Sequence, residues 1–171
     1  MSKTNRQYLK LVALFSVFAA PMAVAWGMVE WRIGIPDSRT AHGTLEPGIP
    51  QLRDWPLAEV PQGLEGDDWV LAFDCTEGCE AIADRWWRVH RALGREAPRV
   101  TRLRVGGDVA SLPGEHVVDW RADSVPAWQQ PGHVWLLDPQ GRVLLAYAST
   151  TDPADVLDDI NHVLRRNPDS P

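Results

Sequence analysis

The chain of 171 residues contains two cysteines, and they lie four positions apart in Asp74-Cys75-Thr76-Glu77-Gly78-Cys79-Glu80. An apolar run, Trp69 to Phe73, precedes the pair, and a helical pattern follows it. The pattern predicts a buried strand that delivers two thiols to the first turn of a helix. Two thiolates placed there can close a disulfide or hold a soft metal ion, so the pair limits both the fold and the chemistry.

The N-terminal segment predicts a membrane anchor. Residues 11–29 carry no charge, and a helix of that length spans about 28 Å, close to the thickness of a bilayer core. Three basic residues precede this run, namely Lys3, Arg6 and Lys10. The positive-inside rule therefore predicts a cytoplasmic tip over residues 1–10, a transmembrane anchor over 11–29 and an exported remainder.

A cleaved signal peptide is the alternative interpretation of this segment. Ala23-Val24-Ala25 is similar to a cleavage site and follows a charged N-terminal region. The uncharged run continues beyond this site through Trp26 to Val29, which favours an anchor that is retained. Both interpretations place the domain outside the cytoplasm.

The charge of the chain excludes one broad class of function. Its formal net charge is −6, and without the three basic residues of the tip the remainder holds 14 basic and 23 acidic side chains, a net charge of −9. The exported part has no basic patch, so nucleic-acid binding is not expected. Two cysteines in an exported chain usually close a disulfide, and a metal site would require the pair to be kept reduced.

Composition divides the exported part into regions. Residues 30–65 are rich in proline, glycine and charge, and we interpret them as an extended stalk that lies partly against the domain, with Trp55 or Leu57 as anchors. The domain is predicted over residues 66–166. Residues 167–171 are predicted to form a disordered tail.

Hydrophobic periodicity predicts the first elements of the domain. After the first strand, a helix over residues 77–95 has an apolar stripe, and Gly94 is a suitable residue for its C-terminal end. The stripe consists of Ile82, Trp86, Val89 and Leu93. A second strand is predicted over residues 100–105 and a short third strand over 116–120.

The C-terminal half predicts a hairpin and a helix. Residues 133–138 and 142–147 flank Pro139-Gln140-Gly141, which is typical of a β-hairpin. Asp152 followed by Pro153 indicates the start of a helix. The order strand, helix, strand, irregular crossover, hairpin, helix predicts an α/β thioredoxin-like domain with a shortened crossover, and another small α/β sandwich is the alternative.

One chemistry open to Cys75 and Cys79 is thiol–disulfide exchange, in which both would be catalytic. Enzymes of this class favour a closer spacing and a nucleophile activated by positive charge and the helix N-terminus. Carboxylates oppose a thiolate but not a bound cation, and three of them surround the pair, namely Asp74, Glu77 and Glu80. Pro131 lies roughly where oxidoreductases with this fold place a cis-proline.

A second chemistry is copper binding. Soft thiolates select Cu(I), and a spacing of four on a helical turn brings Cβ atoms within about 5–6 Å, so two sulfurs can converge on one ion. A third ligand, usually an imidazole, would let the site also hold Cu(II). Zinc suits the chain less well, because a structural zinc site takes four nitrogen or sulfur ligands. A structural or inactive disulfide is the third possibility.

Several segments together resemble the Sco/SenC family. They are Cys75-x-x-x-Cys79 after a strand, Val134 to Gly141, His42 to Pro47, Leu71 to Cys79, Leu136 to Tyr147 and Asp152 to Leu164. The similarity covers most of the chain and is greatest to a shorter, Sco-related group of proteobacterial membrane proteins. It implies a thioredoxin-like fold, an anchor in the inner membrane, copper as the metal, and a role in assembling the copper centre of cytochrome c oxidase.

The chain departs from the Sco pattern around the implied copper site. Sco proteins commonly carry proline after each cysteine of the pair, where this chain has Thr76 and Glu80. Gln130 aligns with the Sco histidine, and a histidine follows three residues later. The metal ligands implied by the resemblance are therefore Cys75, Cys79 and, as a substitute, His133.

The remaining histidines and the tryptophans are interpreted mainly as structural. The histidines expected at the surface or in packing are His42, His90, His116 and His162. Trp26 and Trp31 suit a bilayer interface, and Trp86 and Trp135 suit the core. Three others are either buried or form a docking patch for a partner, namely Trp87, Trp120 and Trp128.

The sequence thus predicts a single-pass protein of the bacterial inner membrane with its domain in the periplasm. Its expected function is to bind Cu(I) through Cys75 and Cys79 and to deliver it to a cytochrome c oxidase subunit or another assembly factor, as a metallochaperone rather than an enzyme. Two alternatives stay open: a thiol reductant for the copper site of the oxidase, and an assembly scaffold without chemistry.

Overall fold

A computed structural model describes residues 3–31, 41–59, 61, 64 and 68–168. The chain divides into two compact units, Met1–Thr40 and Ala41–Pro171. In the first unit, helix α1 spans Lys3–Glu30. Within it, Lys10–Met28 is long and apolar enough to cross a membrane, in agreement with the anchor predicted over 11–29.

The second unit is built on a mixed sheet of five strands. The strands are β1 (Trp69–Asp74), β2 (Val100–Val105), β3 (Glu115–Val118), β4 (Val134–Leu137) and β5 (Val143–Tyr147). They lie in the order β3-β2-β1-β4-β5. The first three run parallel, and the β4–β5 hairpin is antiparallel to β1. Every predicted strand is present, so the predicted order of elements is confirmed.

The crossover between β2 and β3 is short. Parallel strands are normally joined by a dozen or more residues that include a helix. Here residues 106–114 make the connection, and the structure assigns no helix to them. The structure assigns no helix to residues 106–133, so the irregular crossover predicted between the second strand and the hairpin is confirmed. Its first loop comes to line the candidate site described below.

Helix α2 spans Cys79–Ala92 and helix α3 spans Pro153–Arg166. The prediction that the first of these begins at residue 77 is wrong, because Gly78 has φ +62° and cannot continue a right-handed helix. The helix also ends before residue 95, where Gly94 has φ +59° and a 3-10 helix, Gly94–Arg99, follows. Asp152 caps α3 as predicted, since its side chain accepts a hydrogen bond from the Ala154 backbone N–H at 2.9 Å.

The two faces of the sheet bury different sets of side chains. Alternate residues of β1, namely Trp69, Leu71 and Phe73, pack against α2 and α3. Val70 and Ala72 point to the opposite face, as the period of two requires. The predicted helix stripe faces the first of these clusters, where Trp86, Val89 and Leu93 are buried.

An irregular N-terminal segment covers the second face. It contributes Ile49, Leu52, Trp55 and Leu57 to the core. Thr44 pairs with Ala146, and Leu57 pairs with Trp120. Trp55 and Leu57 therefore act as anchors, as predicted. The compact unit Ala41–Pro171 includes both this segment and the domain predicted over residues 66–166.

Candidate functional site

The two cysteines lie at the junction between β1 and α2. The strand ends at Asp74, residues 76–78 form a bend, and Cys79 is the first residue of the helix. The side chains of Cys75 and Cys79 are joined in a disulfide, with their Cα atoms 4.7 Å apart. The expectation that a helical turn holds the pair is wrong, because the bend ahead of the helix brings the sulfurs together.

The disulfide is mostly covered. Cys75 has 0% of its surface exposed and Cys79 has 8%. Gly107, at φ +80°, lies over the pair, and a Cβ atom at this position would be 2.5 Å from the Cys79 sulfur. Only glycine suits both this backbone conformation and this close approach. Of the pair, the fold thus leaves only an edge of Cys79 exposed.

That edge opens on a groove between the start of α2 and the β2–β3 loop. The groove has a volume of about 1150 Å³ and is lined by both cysteines. Small and apolar residues such as Ala83, Val109 and Leu112 form much of its wall. Three carboxylates also line it, namely Glu80, Asp84 and Asp108. The site can therefore receive a client segment at the disulfide.

Asp74, directly before Cys75, is fully buried and fully hydrogen-bonded. Its Oδ2 atom accepts from Trp120 Nε1 at 2.7 Å and from Gln129 Nε2 at 2.8 Å. Its Oδ1 atom accepts from the Thr76 hydroxyl at 2.6 Å and from the Thr76 backbone N–H at 3.1 Å. Asp74 was expected to disfavour a thiolate at the pair, but its carboxylate oxygens are occupied by these hydrogen bonds. The other two carboxylates of the motif, Glu77 and Glu80, are exposed to solvent.

A buried arginine, which was not predicted as part of the site, lies beside the disulfide. Arg104, on β2, brings its Nη1 atom to 3.6 Å from the Cys79 sulfur. Its Nη2 atom donates to the Val109 carbonyl at 2.8 Å, and its Nε atom lies 3.6 Å from Glu115 Oε2. Arg102, two residues earlier on the strand, lies 3.6 Å from the other oxygen of Glu115. All three charged side chains are almost completely buried.

His133, the proposed third copper ligand, lies at the entrance of β4. Its carbonyl accepts from the Asp74 backbone N–H at 2.9 Å, and its ring lies edge-on to Trp135 with 6.1 Å between ring centroids. It is not among the groove-lining residues. No three His, Cys, Asp or Glu side chains cluster as metal ligands in the described part of the chain. His133 as a ligand stays a prediction.

Pro131 does not form the cis peptide bond that is typical of oxidoreductases with this fold. All peptide bonds of the described residues are trans, including the one that precedes Pro131. Gly132 takes the turn into β4 with φ +74°. The redox interpretation therefore depends on the disulfide, the groove and Arg104 rather than on a cis-proline.

Two of the histidines have clear structural partners. His90 approaches the carbonyl oxygens of Val100 and Ala97 through Nε2 at 2.7 and 3.0 Å, and burial lowers its pKa. His42 lies beside Asp159, with 3.1 Å between Nδ1 and Oδ1, and this hydrogen bond raises the pKa of His42. Neither lines the groove, so the expectation of packing roles agrees with the structure.

Four tryptophans form one aromatic cluster on the face opposite the helices. In five of the six pairs among Trp55, Trp120, Trp128 and Trp135, the ring centroids are 5.1 to 5.8 Å apart. Trp120 is buried and Trp128 half-buried, so the docking-patch interpretation is wrong for Trp120 and its burial is confirmed. Trp86 and Trp135 are core residues, as predicted.

Comparison with known proteins gives a family and several distant structures. The model for a transmembrane-like, thioredoxin-like C-terminal domain matches residues 69–166. No curated relative matches the chain. A solved structure of Bradyrhizobium japonicum ScoI with copper bound is 16% identical, covers 57% of this chain and 85% of its own, and has a TM-score of 0.42.

Two further solved structures show how widely this likeness extends. Yeast Sco1 with copper bound is 13% identical over 59% of this chain and 80% of its own, with a TM-score of 0.44. Xanthomonas campestris peroxiredoxin Q is 13% identical over 71% of this chain and 99% of its own, with a TM-score of 0.46. Sco proteins are thus among the similar structures, but a peroxiredoxin is equally so, and the likeness assigns neither chemistry to this chain.

The family match extends from the first residue of β1 to the last residue of α3. It therefore includes the strand–helix junction, the disulfide and the shortened crossover. It agrees with the α/β thioredoxin-like fold predicted from the order of elements. The chain belongs to the family of transmembrane-like proteins with a thioredoxin-like C-terminal domain.

Proposed function

We propose that this protein is a membrane-anchored factor in cytochrome c oxidase assembly whose domain performs thiol–disulfide exchange through Cys75 and Cys79. One observation carries the proposal: the disulfide borders a groove, and a buried guanidinium contacts one of its sulfurs. A purely structural disulfide has no need of either. Positive charge beside a cysteine favours its thiolate, which is the form that attacks disulfides.

The proposed location is the periplasmic side of the bacterial inner membrane. The apolar stretch Lys10–Met28 supports an anchor, and the basic residues near the N-terminus support a cytoplasmic tip. The resemblance to Sco/SenC proteins supports an oxidase subunit or another assembly factor as partner. In this setting the reduced pair would keep the cysteines of the oxidase copper site in the thiol form.

Exchange can be tested on the detergent-solubilised full chain. The chain is reduced with a dithiol, freed of it and mixed with glutathione disulfide. We expect the Cys75–Cys79 disulfide to form while two glutathione thiols are released, since two electrons leave the protein. The matched control is the double variant Cys75→Ser with Cys79→Ser. A reduced chain that releases no more thiol than this control would contradict the proposal.

Delivery of Cu(I) as cargo is the second candidate. The observation that favours it is that both cysteines and three carboxylates line the same groove, and thiolates are soft ligands that select Cu(I). A Cu(I) ion held by two thiolates carries a net negative charge, which Arg104 would stabilise. Recruitment of His133 would require movement, since it does not line the groove.

Anaerobic titration of the reduced full chain with Cu(I) tests this candidate. We expect binding that is lost in the double serine variant and weakened by His133→Ala. Unchanged uptake by the double serine variant would exclude delivery through the pair. Normal oxidase assembly in cells that carry this variant would instead support a scaffold without chemistry and count against both candidates.

A further inference from the structure

The two sulfurs of the pair lie in different environments, and the difference assigns them different roles. We propose that Cys79 is the sulfur that forms the mixed disulfide with the client, that Cys75 is the resolving thiol, and that Arg104 is a positioning residue that stabilises the negative charge on Cys79. This inference rests on the exchange function proposed above. It gives the attacking role to the second cysteine of the pair.

Access is the first reason. Cys79 keeps 8% of its residue surface exposed and Cys75 has 0%, and both residues line the groove. Attack on a disulfide requires the attacking sulfur to approach along the axis of the bond that breaks, so a sulfur without exposed surface is disfavoured. Cys79, the more exposed residue of the pair, is therefore the better placed for this attack.

Charge is the second reason. Arg104 Nη1 lies 3.6 Å from the Cys79 sulfur, and Cys79 is the first residue of α2, where the unpaired backbone N–H groups carry positive partial charge. Glu115 pairs with the Nε atom of Arg104 at 3.6 Å, whereas the Nη1 atom faces the sulfur, so positive charge remains beside the sulfur. The nearby carboxylates Glu80 and Asp108 are exposed to solvent, which screens them.

The Cys75 sulfur lies beside a partial negative charge, whereas the Cys79 sulfur lies beside a positive one. Its sulfur lies 3.5 Å from the Cys79 carbonyl oxygen, in a position where a thiol donates. A carbonyl oxygen favours the neutral thiol over the thiolate. The buried cysteine is therefore suited to stay protonated until the mixed disulfide has formed.

The proposed sequence balances atoms and electrons. The Cys79 thiolate attacks one sulfur of a client disulfide, the client S–S bond breaks, and the first client thiolate leaves. Cys75 then gives its proton to water or to that thiolate and attacks the Cys79 sulfur, which releases the second client thiolate and closes the Cys75–Cys79 disulfide. The client gains two electrons, and an external dithiol reduces the domain again.

Single-cysteine variants of the full chain test the assignment of roles. Cystamine is a suitable probe, because its ammonium groups are compatible with the carboxylates of the groove. Cys75→Ser leaves Cys79 and is expected to form the mixed disulfide at least about tenfold faster than Cys79→Ser, measured by mass spectrometry. In urea the two variants should react at similar rates, since the difference comes from the fold.

Arg104 can be tested against a neighbour with the same partner. In the Cys75→Ser background, Arg104→Gln is expected to slow formation of the mixed disulfide roughly threefold or more, and Arg104→Lys to restore most of the rate. Arg102→Gln is the matched control, because Arg102 pairs with the same glutamate. It should change the rate less than about twofold, because Arg104 is the arginine that contacts the Cys79 sulfur.

The outcomes separate this inference from the proposed function. If cystamine oxidises the wild-type pair but Cys79→Ser reacts as fast as Cys75→Ser, the assignment of roles is wrong while exchange stands. If Arg102→Gln slows the reaction as much as Arg104→Gln, or Arg104→Lys fails to restore it, the role of Arg104 is wrong. If the wild-type pair is not oxidised at all, exchange itself fails.

Discussion

Two buried carboxylates lie near the candidate site: Asp74 directly precedes Cys75, and Glu115 pairs with the arginine that contacts Cys79. Their surroundings differ. Asp74 accepts four hydrogen bonds of 2.6 to 3.1 Å from three neighbouring residues. Glu115 faces two guanidinium groups at 3.6 Å each, and its Oε1 atom has no hydrogen-bond partner. The Nε atoms of Arg102 and Arg104 also lack partners.

The two carboxylates therefore contribute to the site in different ways, one through position and the other through charge. Short, directional hydrogen bonds to Asp74 fix the bend between β1 and α2 and link it to the tryptophan cluster. The Arg102–Arg104–Glu115 group has looser geometry, so its effect is mainly electrostatic. Asp74 thus holds the cysteines in position, and Arg104 sets the charge that Cys79 meets.

Glu115→Gln is expected to have the largest effect on stability. It leaves two buried guanidinium groups without a carboxylate, and removal of one partner from a buried ion pair costs about 3–5 kcal/mol. The free energy of unfolding, from urea titration of the detergent-solubilised chain followed by near-ultraviolet circular dichroism, measures this cost. The control Glu96→Gln removes the exposed partner of Arg99 and should cost less than about 1 kcal/mol.

Asp74→Asn tests the hydrogen-bonded carboxylate and should lower the free energy of unfolding by less than Glu115→Gln. The amide keeps one acceptor oxygen but turns an NH₂ group towards existing donors, so we expect a loss of about 2–3 kcal/mol in the free energy of unfolding. Asp119→Asn is the control, because Asp119 adjoins Trp120 but is exposed. Equal losses in the two variants would contradict the role given to Asp74.

The smallest effect is expected for a variant of His42, whose ring lies beside a third buried carboxylate, Asp159. It accepts from the backbone N–H groups of His42 and Gly43 at 2.9 and 3.0 Å and from the Tyr147 hydroxyl at 3.1 Å. Like Asp74 it is well hydrogen-bonded, but it has the titratable His42 ring beside it. Asp159 thereby ties the start of the domain to α3.

The pKa of His42 is raised, mainly by the hydrogen bond to Asp159. Its protonated form is therefore favoured by folding, and the resulting stability is fully present below the ordinary histidine pKa and lost as the pH rises through the raised value. We expect His42→Gln to lower the thermal midpoint at acidic pH and to have little effect at alkaline pH. The matched control is His162→Gln, which removes an exposed imidazole on α3.

The sequence predicted the helix-covered face of the sheet well, because regular elements carry regular patterns. The stripe of α2 and the alternation in β1 each follow from a single period. The other face is covered by Ile49, Leu52, Trp55 and Leu57 in irregular backbone. The sequence has no regular hydrophobic period there, so Trp55 and Leu57 could be named as anchors but the contacts of Ile49 and Leu52 could not.

The electrostatics of the site were predicted less well, for a specific reason. In a strand, Arg102 and Arg104 share one face, and arginines are normally exposed. The short β2–β3 crossover instead covers them, and it brings Gly107 against the disulfide. Two arginines spaced by two within an apolar strand were the available signal, together with Gly106-Gly107 directly after it.

The reduction potential of the Cys75–Cys79 pair tests the central claim most directly. It is measured on the full chain by equilibration with dithiol–disulfide buffers, followed by thiol labelling and mass analysis. An exchange function predicts a two-electron potential at or above about −270 mV, in the range of thiol–disulfide exchange proteins. A potential below about −300 mV is typical of a structural disulfide and would contradict the account.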